Sequence, residues 1–204
     1  MIRLNDEFIS PSHEGELDLS SAPIPVLVRF LREGRPVEQR EAISQLVVRQ
    51  AEDELVACLC SPDKAVAELA TAGLWECWLN EEGPDARAVM ERGIDLMNSG
   101  EFAAAEEVFV DLGRLFPGWA EAINKQATVL YMRGEAESSY DLCELVIDMK
   151  PHHFGAWHGL ALCAVRLRDW ETALAAATEA LRLQPHAGAN DEIKRLAKRK
   201  LRGG

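Results

Sequence analysis

The stretch Lys150–Gly159, KPHHFGAWHG, sets three histidines within seven residues, beside a proline, two glycines and two aromatics. Taken alone it is a candidate metal cluster; taken as architecture it is a joint. The proline decides between them. Pro117, Pro151 and Pro185 recur at a spacing of 34 residues, and an internal period of that length governs the fold around it. A zinc site needs about four ligands at about 2.1 Å, and no cysteine pair stands near these histidines in sequence. His152 and His153 are therefore read as part of a turn between repeats. Phe154 and Trp157 are read as anchors of the helix that follows.

Laid over one another from Ala86, Ala120 and Phe154, the three segments form columns in which size is kept rather than identity. Gly93, Ala127 and Ala161 make one small column, and Ala105, Ser139 and Ala173 another. Val89, Ile123 and Trp157 make a large apolar column, as do Leu115, Met149 and Leu183. Within each segment apolar residues recur at helical spacing and are interrupted midway by Gly100 or Gly134, which reads as two helices and a turn. In the third segment Arg168 stands at the glycine position. Small residues let antiparallel helices approach closely, and the closing proline cannot continue the second helix. A single hairpin cannot bury its own apolar face, so neighbours must stack.

These columns resemble the tetratricopeptide repeat (TPR) family, with units at 86–119, 120–153 and 154–187. The resemblance implies a concave groove lined by the first helix of each pair. Its columns here hold Met90, Ile94 and Met97, then Asn124, Thr128 and Tyr131, then His158, Leu162 and Val165, with Arg87, Lys125 and Arg166 nearby. Methionine suits adaptable contacts, and such grooves take extended or helical peptides. Some members clamp the acidic C-termini of heat-shock chaperones with Lys, Asn and Arg. The matching columns here hold Met90, Ile94, Lys125, Gly155 and Gly159, so that clamp is absent and that partner is not expected.

Residues 23–84 have a shorter rhythm. A shift of 28 places Leu27, Val28, Leu31, Ala42 and Leu46 on Leu55, Val56, Leu59, Ala70 and Leu74, a pattern that resembles HEAT-type helix pairs. Ser61 and Asp63 suit a helix start, and Trp75 and Trp78 share one helix face just before the joint NEEGPD. Residues 1–22 are polar and acidic with no sustained period, and read as a flexible acidic arm or a docked extended one. Residues 188–204 read as a basic capping helix and tail: Asn190 as cap, Asp191 and Glu192 in the first turn, and Ile193, Leu196, Ala197 and Leu201 on one stripe. The expected fold is all-α: a right-handed α-solenoid of HEAT-like pairs, three TPR units and a capping helix.

Composition narrows the function. The 204 residues carry a net charge of −12, which argues against nucleic acid as a partner. From residue 188 on, however, six Lys/Arg face two acids. Five scattered cysteines suit a reducing compartment, and no apolar run approaches the roughly 18 residues of a membrane span. The N-terminal residues, with five acids and one Arg among the first twenty, fit neither a secretory signal nor an Arg-rich transit peptide. No nucleotide-binding or nucleophile motif is present, so no enzyme, no cofactor and no resident metal is expected. The segments FPGWAEAINKQATVLYMRGE and PHHFGAWHGLALC are similar to those of small helical-repeat proteins in plants, algae and proteobacteria. That resemblance implies a plastid location in a plant or alga, and otherwise cytoplasm. The expected role is an adaptor that holds a protein partner in the groove during complex assembly. The alternative is a permanent structural subunit bound through its convex face or the Trp75/Trp78 junction.

Overall fold

The computed structural model describes residues 18–203. Most of the acidic arm, residues 1–17, lies outside the described residues, as does Gly204. The last part of that arm, residues 18–22, is tied down rather than free. Leu19 is buried in the first core, and the Arg49 guanidinium donates to the carbonyls of Ser20 and Ala22, each at 2.5 Å.

Eleven helices follow, and the described residues contain no strand. Four precede the repeats: α1 Ile24–Glu33, α2 Pro36–Val48, α3 Glu52–Leu59 and α4 Lys64–Leu79. Three hairpins come next: α5 Gly83–Asn98 with α6 Phe102–Leu115, α7 Ala120–Arg133 with α8 Ala136–Met149, and α9 Phe154–Leu167 with α10 Trp170–Leu183. Helix α11, Gly188–Arg202, ends the stack. The result is an all-α solenoid. Helix starts use local chemistry: the Glu38 carboxylate accepts from the Arg35 backbone N–H at 2.6 Å, and Asp63 accepts from Ala65 N–H at 2.9 Å.

The three hairpin turns have one geometry. Gly100, Gly134 and Arg168 all take positive φ, +81°, +94° and +61°. After each, an N–H reaches back to the preceding helix at 2.9 Å: Glu101 to Leu96 O, Glu135 to Leu130 O, Asp169 to Ala164 O. Arg168 thus makes the same turn as glycine, at a conformational cost of about 1 kcal/mol. Between the helices of each pair the small columns close the gap. A Cβ on Gly93 would lie 2.6 Å from the Phe109 ring, and Ser139 Oγ donates to Ala127 O at 2.7 Å.

The large apolar columns are buried unevenly. Ile123 is 9% exposed and packs in the stack, whereas Val89, first in the array, is 42% exposed. Leu183 is buried because the core of α1–α4 extends onto it, while Leu115 at the other end of its column is 71% exposed. Helix α11 begins before Asn190, so that residue does not cap it; its side chain is used elsewhere. Ile193 and Ala197 seat α11 on the residues of α9 and α10, and Leu201 points away from them, 41% exposed.

The α1–α4 core does more than precede the repeats. Buried Leu27, Leu31, Leu46, Leu55, Leu59 and Leu74 form one apolar cluster with Trp78, and that cluster takes in Phe154 of α9 and Leu183 of α10. Helix α4 therefore lies along the joints between TPR hairpins.

The concave face and the helix that lies on it

Two tryptophans fasten α4. The Trp78 ring stacks on His153 with centroids 4.1 Å apart and planes 18° apart. Its Nε1–H donates to Glu52 at 2.7 Å, and its carbonyl accepts from Trp119 Nε1–H at 2.6 Å. The Trp75 ring meets Phe154 edge-on at 5.0 Å, and the Lys125 ammonium lies 4.9 Å from its centroid. Gly155 makes room for it: a Cβ there would lie 2.7 Å from the Trp75 ring. Gln184 Nε2–H donates to Thr71 at 2.9 Å, and Arg87 pairs with Glu76 at 2.7 Å. The three joints of the array, at Trp119, His152–Phe154 and Gln184, are thus bridged by one helix. Trp78 is fully buried and Trp75 is half-buried, so most of the Trp75/Trp78 junction is used inside the chain and only part of Trp75 faces outward.

Beneath Trp75 and Trp78 sits a charged network. Glu121 is fully buried on α7. Its Oε2 accepts from Asn124 Nδ2 and from His153 Nε2, both at 3.0 Å, while Oε1 faces the Lys125 ammonium at 2.8 Å. That last contact is an ion pair without hydrogen-bond alignment; the distance still makes it the main compensation for Oε1. His153 Nδ1 accepts from Ala156 N–H at 3.1 Å, which places the ring proton on Nε2, facing the carboxylate. Burial drives the Glu121 pKa up, but the Lys125 charge and the His153 hydrogen bond outweigh it and hold it below the ordinary value. A second carboxylate sits one joint edge away. Burial raises the Glu52 pKa, yet hydrogen bonds from His152 and Trp78, with the Lys150 ammonium at 3.1 Å, bring it down to about 2.

The three histidines of KPHHFGAWHG therefore part company. His152 turns to Glu52 on α3, His153 to Glu121 on α7, and His158 to Asn190 on α11, with Nδ1 and Oδ1 2.6 Å apart. Among the described residues no three His, Cys, Asp or Glu side chains converge as a metal set.

Each residue expected in the groove now has a place. Met90 is fully buried with Ala105 and Trp119, and Asn124 is buried on Glu121, so neither lines open surface. This corrects both expectations: core packing and an internal carboxylate have claimed these side chains. Arg87 is held between Glu76 and Glu91, Lys125 between Glu121 and the Trp75 ring, and His158 by Asn190. Ile94, Met97, Thr128, Tyr131, Leu162 and Val165 are half-buried and keep part of their surface open. Arg166 is exposed; its guanidinium lies 4.9 Å from the Tyr131 ring and donates to Tyr131 O at 2.8 Å. The structure thus divides the concave columns. Their N-terminal end lies under α4, and their C-terminal end, around Met97, Tyr131 and Val165, stays accessible. Reading the sequence missed Glu121 and His153 as partners. The one available signal was Gly155, a glycine inside a helix start where no turn requires it. A cleft of about 380 Å³ also remains between α4 and the α10–α11 joint, lined by Lys64, Ala67, Thr71, Trp75, Gln184 and His186.

No family model matches this sequence, and no curated protein does. Solved structures do. The first TPR domain of Spaghetti (RPAP3) bound to the HSP90 peptide SRMEEVD is 16% identical with a TM-score of 0.56, over 57% of this chain and 92% of that one. The Sgt2 TPR domain from Aspergillus fumigatus is 19% identical with a TM-score of 0.56, over 58% and 80%. The NMR structure of the first TPR domain of human RPAP3 gives 15% and 0.56, over 58% and 93%. At these identities the likeness shows the fold: the chain is built on TPR-like helix pairs.

Proposed function

We propose that the chain is a non-enzymatic protein-interaction adaptor whose partner segment, a peptide or helix, lies on the accessible end of the concave face. One observation carries this. Ile94, Met97, Thr128, Tyr131, Leu162 and Val165 stay half-open on three successive first helices, while the neighbouring columns are buried or internally paired. Three aligned rows of apolar and hydroxyl groups suit a peptide read at helical or extended spacing. Complex assembly in a reducing compartment, plastid stroma or cytoplasm, fits the five unbridged cysteines; among the described residues no helix is long and apolar enough to cross a membrane.

The acidic C-terminus of a heat-shock chaperone is a poor fit. Of the five matching positions only Lys125 is cationic, and its ammonium is already held by Glu121 and Trp75, while Gly155 lies under Trp75. The test replaces Met97, Tyr131 and Val165 together by Ala and follows partners cross-linked in the native source. Loss of the cross-linked partner with an unchanged melting curve supports the groove; an unchanged cross-link pattern removes it.

A permanent structural subunit is the second reading, and a specific surface favours it. Leu115 at the end of α6 and Leu145 and Met149 on α8 are exposed, apolar and on second helices, away from the concave columns. Cross-links that map to α6 and α8 and survive the groove substitutions would select it.

A further inference from the structure

The two ends of the TPR array differ from its middle in a way that points to a second copy of this chain as a partner. In the second and third units one face of the first helix is turned inward against the preceding hairpin. Trp119 just before α7 and Ala122 and Val129 on it are buried there, as are Ala156, Leu160 and Cys163 on α9. On α5 the same columns hold Asp85, Ala88, Arg92 and Asp95, all exposed, with Val89 exposed beside them. Helix α4 does not cover them, because it lies along the joints instead. The first end of the array is an open helix face with an apolar residue, Val89, 42% exposed at its centre.

The charges of the two ends are opposite. Residues 81–101 hold six acids against two arginines, whereas residues 188–203 hold six Lys/Arg against two acids. On α11 Lys198, Arg199 and Arg202 are exposed, and Leu201 beside them is 41% exposed. We propose that the outer face of α5 in one copy receives the outer face of α11 in another, so that copies associate head to tail. Two different faces of the same molecule form the contact, so it does not end at a two-fold dimer and extends beyond two copies, as a ring or an open filament. The overall charge of −12 opposes assembly at very low salt. At roughly 0.1 M salt the Debye length is about 10 Å, which leaves contacting charges attractive while more distant ones are screened. Association is therefore strongest at intermediate salt and falls away at roughly 1 M, where the Debye length is about 3 Å.

The experiment is a charge swap followed by sedimentation velocity across protein concentration and salt. One variant carries Lys198→Glu, Arg199→Glu and Arg202→Glu, and the other Asp85→Lys and Asp95→Lys; circular dichroism and melting confirm that both fold. The expected result is a wild-type mass that rises with concentration past that of a dimer, two variants that stay monomeric alone, and an equimolar mixture of them that associates again. A wild-type monomer at every concentration and salt overturns the proposal. So does association that persists in either variant, or that stops at a two-fold dimer. The groove substitutions at Met97, Tyr131 and Val165 leave this association unchanged, so self-association and partner binding fail or hold independently.

Discussion

Trp78 on α4 and His153 at the joint before α9 lie 75 positions apart in sequence and stack at 4.1 Å, nearly parallel. The stack sits between two carboxylates. Glu52 takes the Trp78 N–H, and Glu121 takes the His153 N–H. Docking of the N-terminal helices and the stacking of TPR hairpins are therefore one cooperative unit rather than two.

Gly155→Ala tests the docking of α4. The new Cβ would lie 2.7 Å from the Trp75 ring, so the ring must move off Phe154 and Lys125. We expect a loss of about 1–3 kcal/mol in chemical denaturation, as for other overpacked sites, with a changed near-ultraviolet tryptophan signal. An unaltered tryptophan signal would mean that Trp75 is not seated there.

Lys125→Met leaves the buried Glu121 without its cation. A broken buried pair is destabilising by about 3–5 kcal/mol, and a loss in that range is expected by urea melting. Adding Glu121→Gln removes the charge that needed compensation, and the double variant should recover most of the loss. Additive effects of the two changes would contradict the pairing.

Glu52 supplies an acid-dependent contribution. Its ordinary pKa is 4.5 and falls to about 2 in the folded chain, so the folded state binds fewer protons than the unfolded one between those values. The stabilisation is complete above about pH 5 and is lost as pH falls from 4.5 towards 2. The side chain is 24% exposed; with that screening the contribution is about 1–2 kcal/mol. The stability gap between wild type and Glu52→Gln should therefore shrink as pH drops below 4.5. A constant gap would refute the assignment.

Arg168→Gly and Gly134→Ala test the shared turn geometry in opposite directions. Both positions take positive φ. The first change relieves a strained residue and raises stability by about 0.5 kcal/mol; the second imposes the strain and lowers it by about 1 kcal/mol. Thermal melting of the two variants resolves the signs.

The 34-residue spacing of Pro117, Pro151 and Pro185 was enough to determine an array of helix pairs, because period, residue size and turn chemistry are local properties repeated along the chain. The half-open row Met97, Tyr131 and Val165 was legible for the same reason: it follows from helical spacing once the first helix is placed. Met90, Asn124 and His158 occupy that face by the same spacing, yet the tertiary structure gives them to the core, to Glu121 and to Asn190. Their fate depends on partners 3 to 32 residues away, and spacing along one helix carries no record of what another helix brings. Only the folded chain could show that α4 lies across the joints, since Trp75, Trp78 and Gly155 find one another through burial and close approach. The sequence by itself determined the repeat; the tertiary structure decided which part of its concave face remains for a partner.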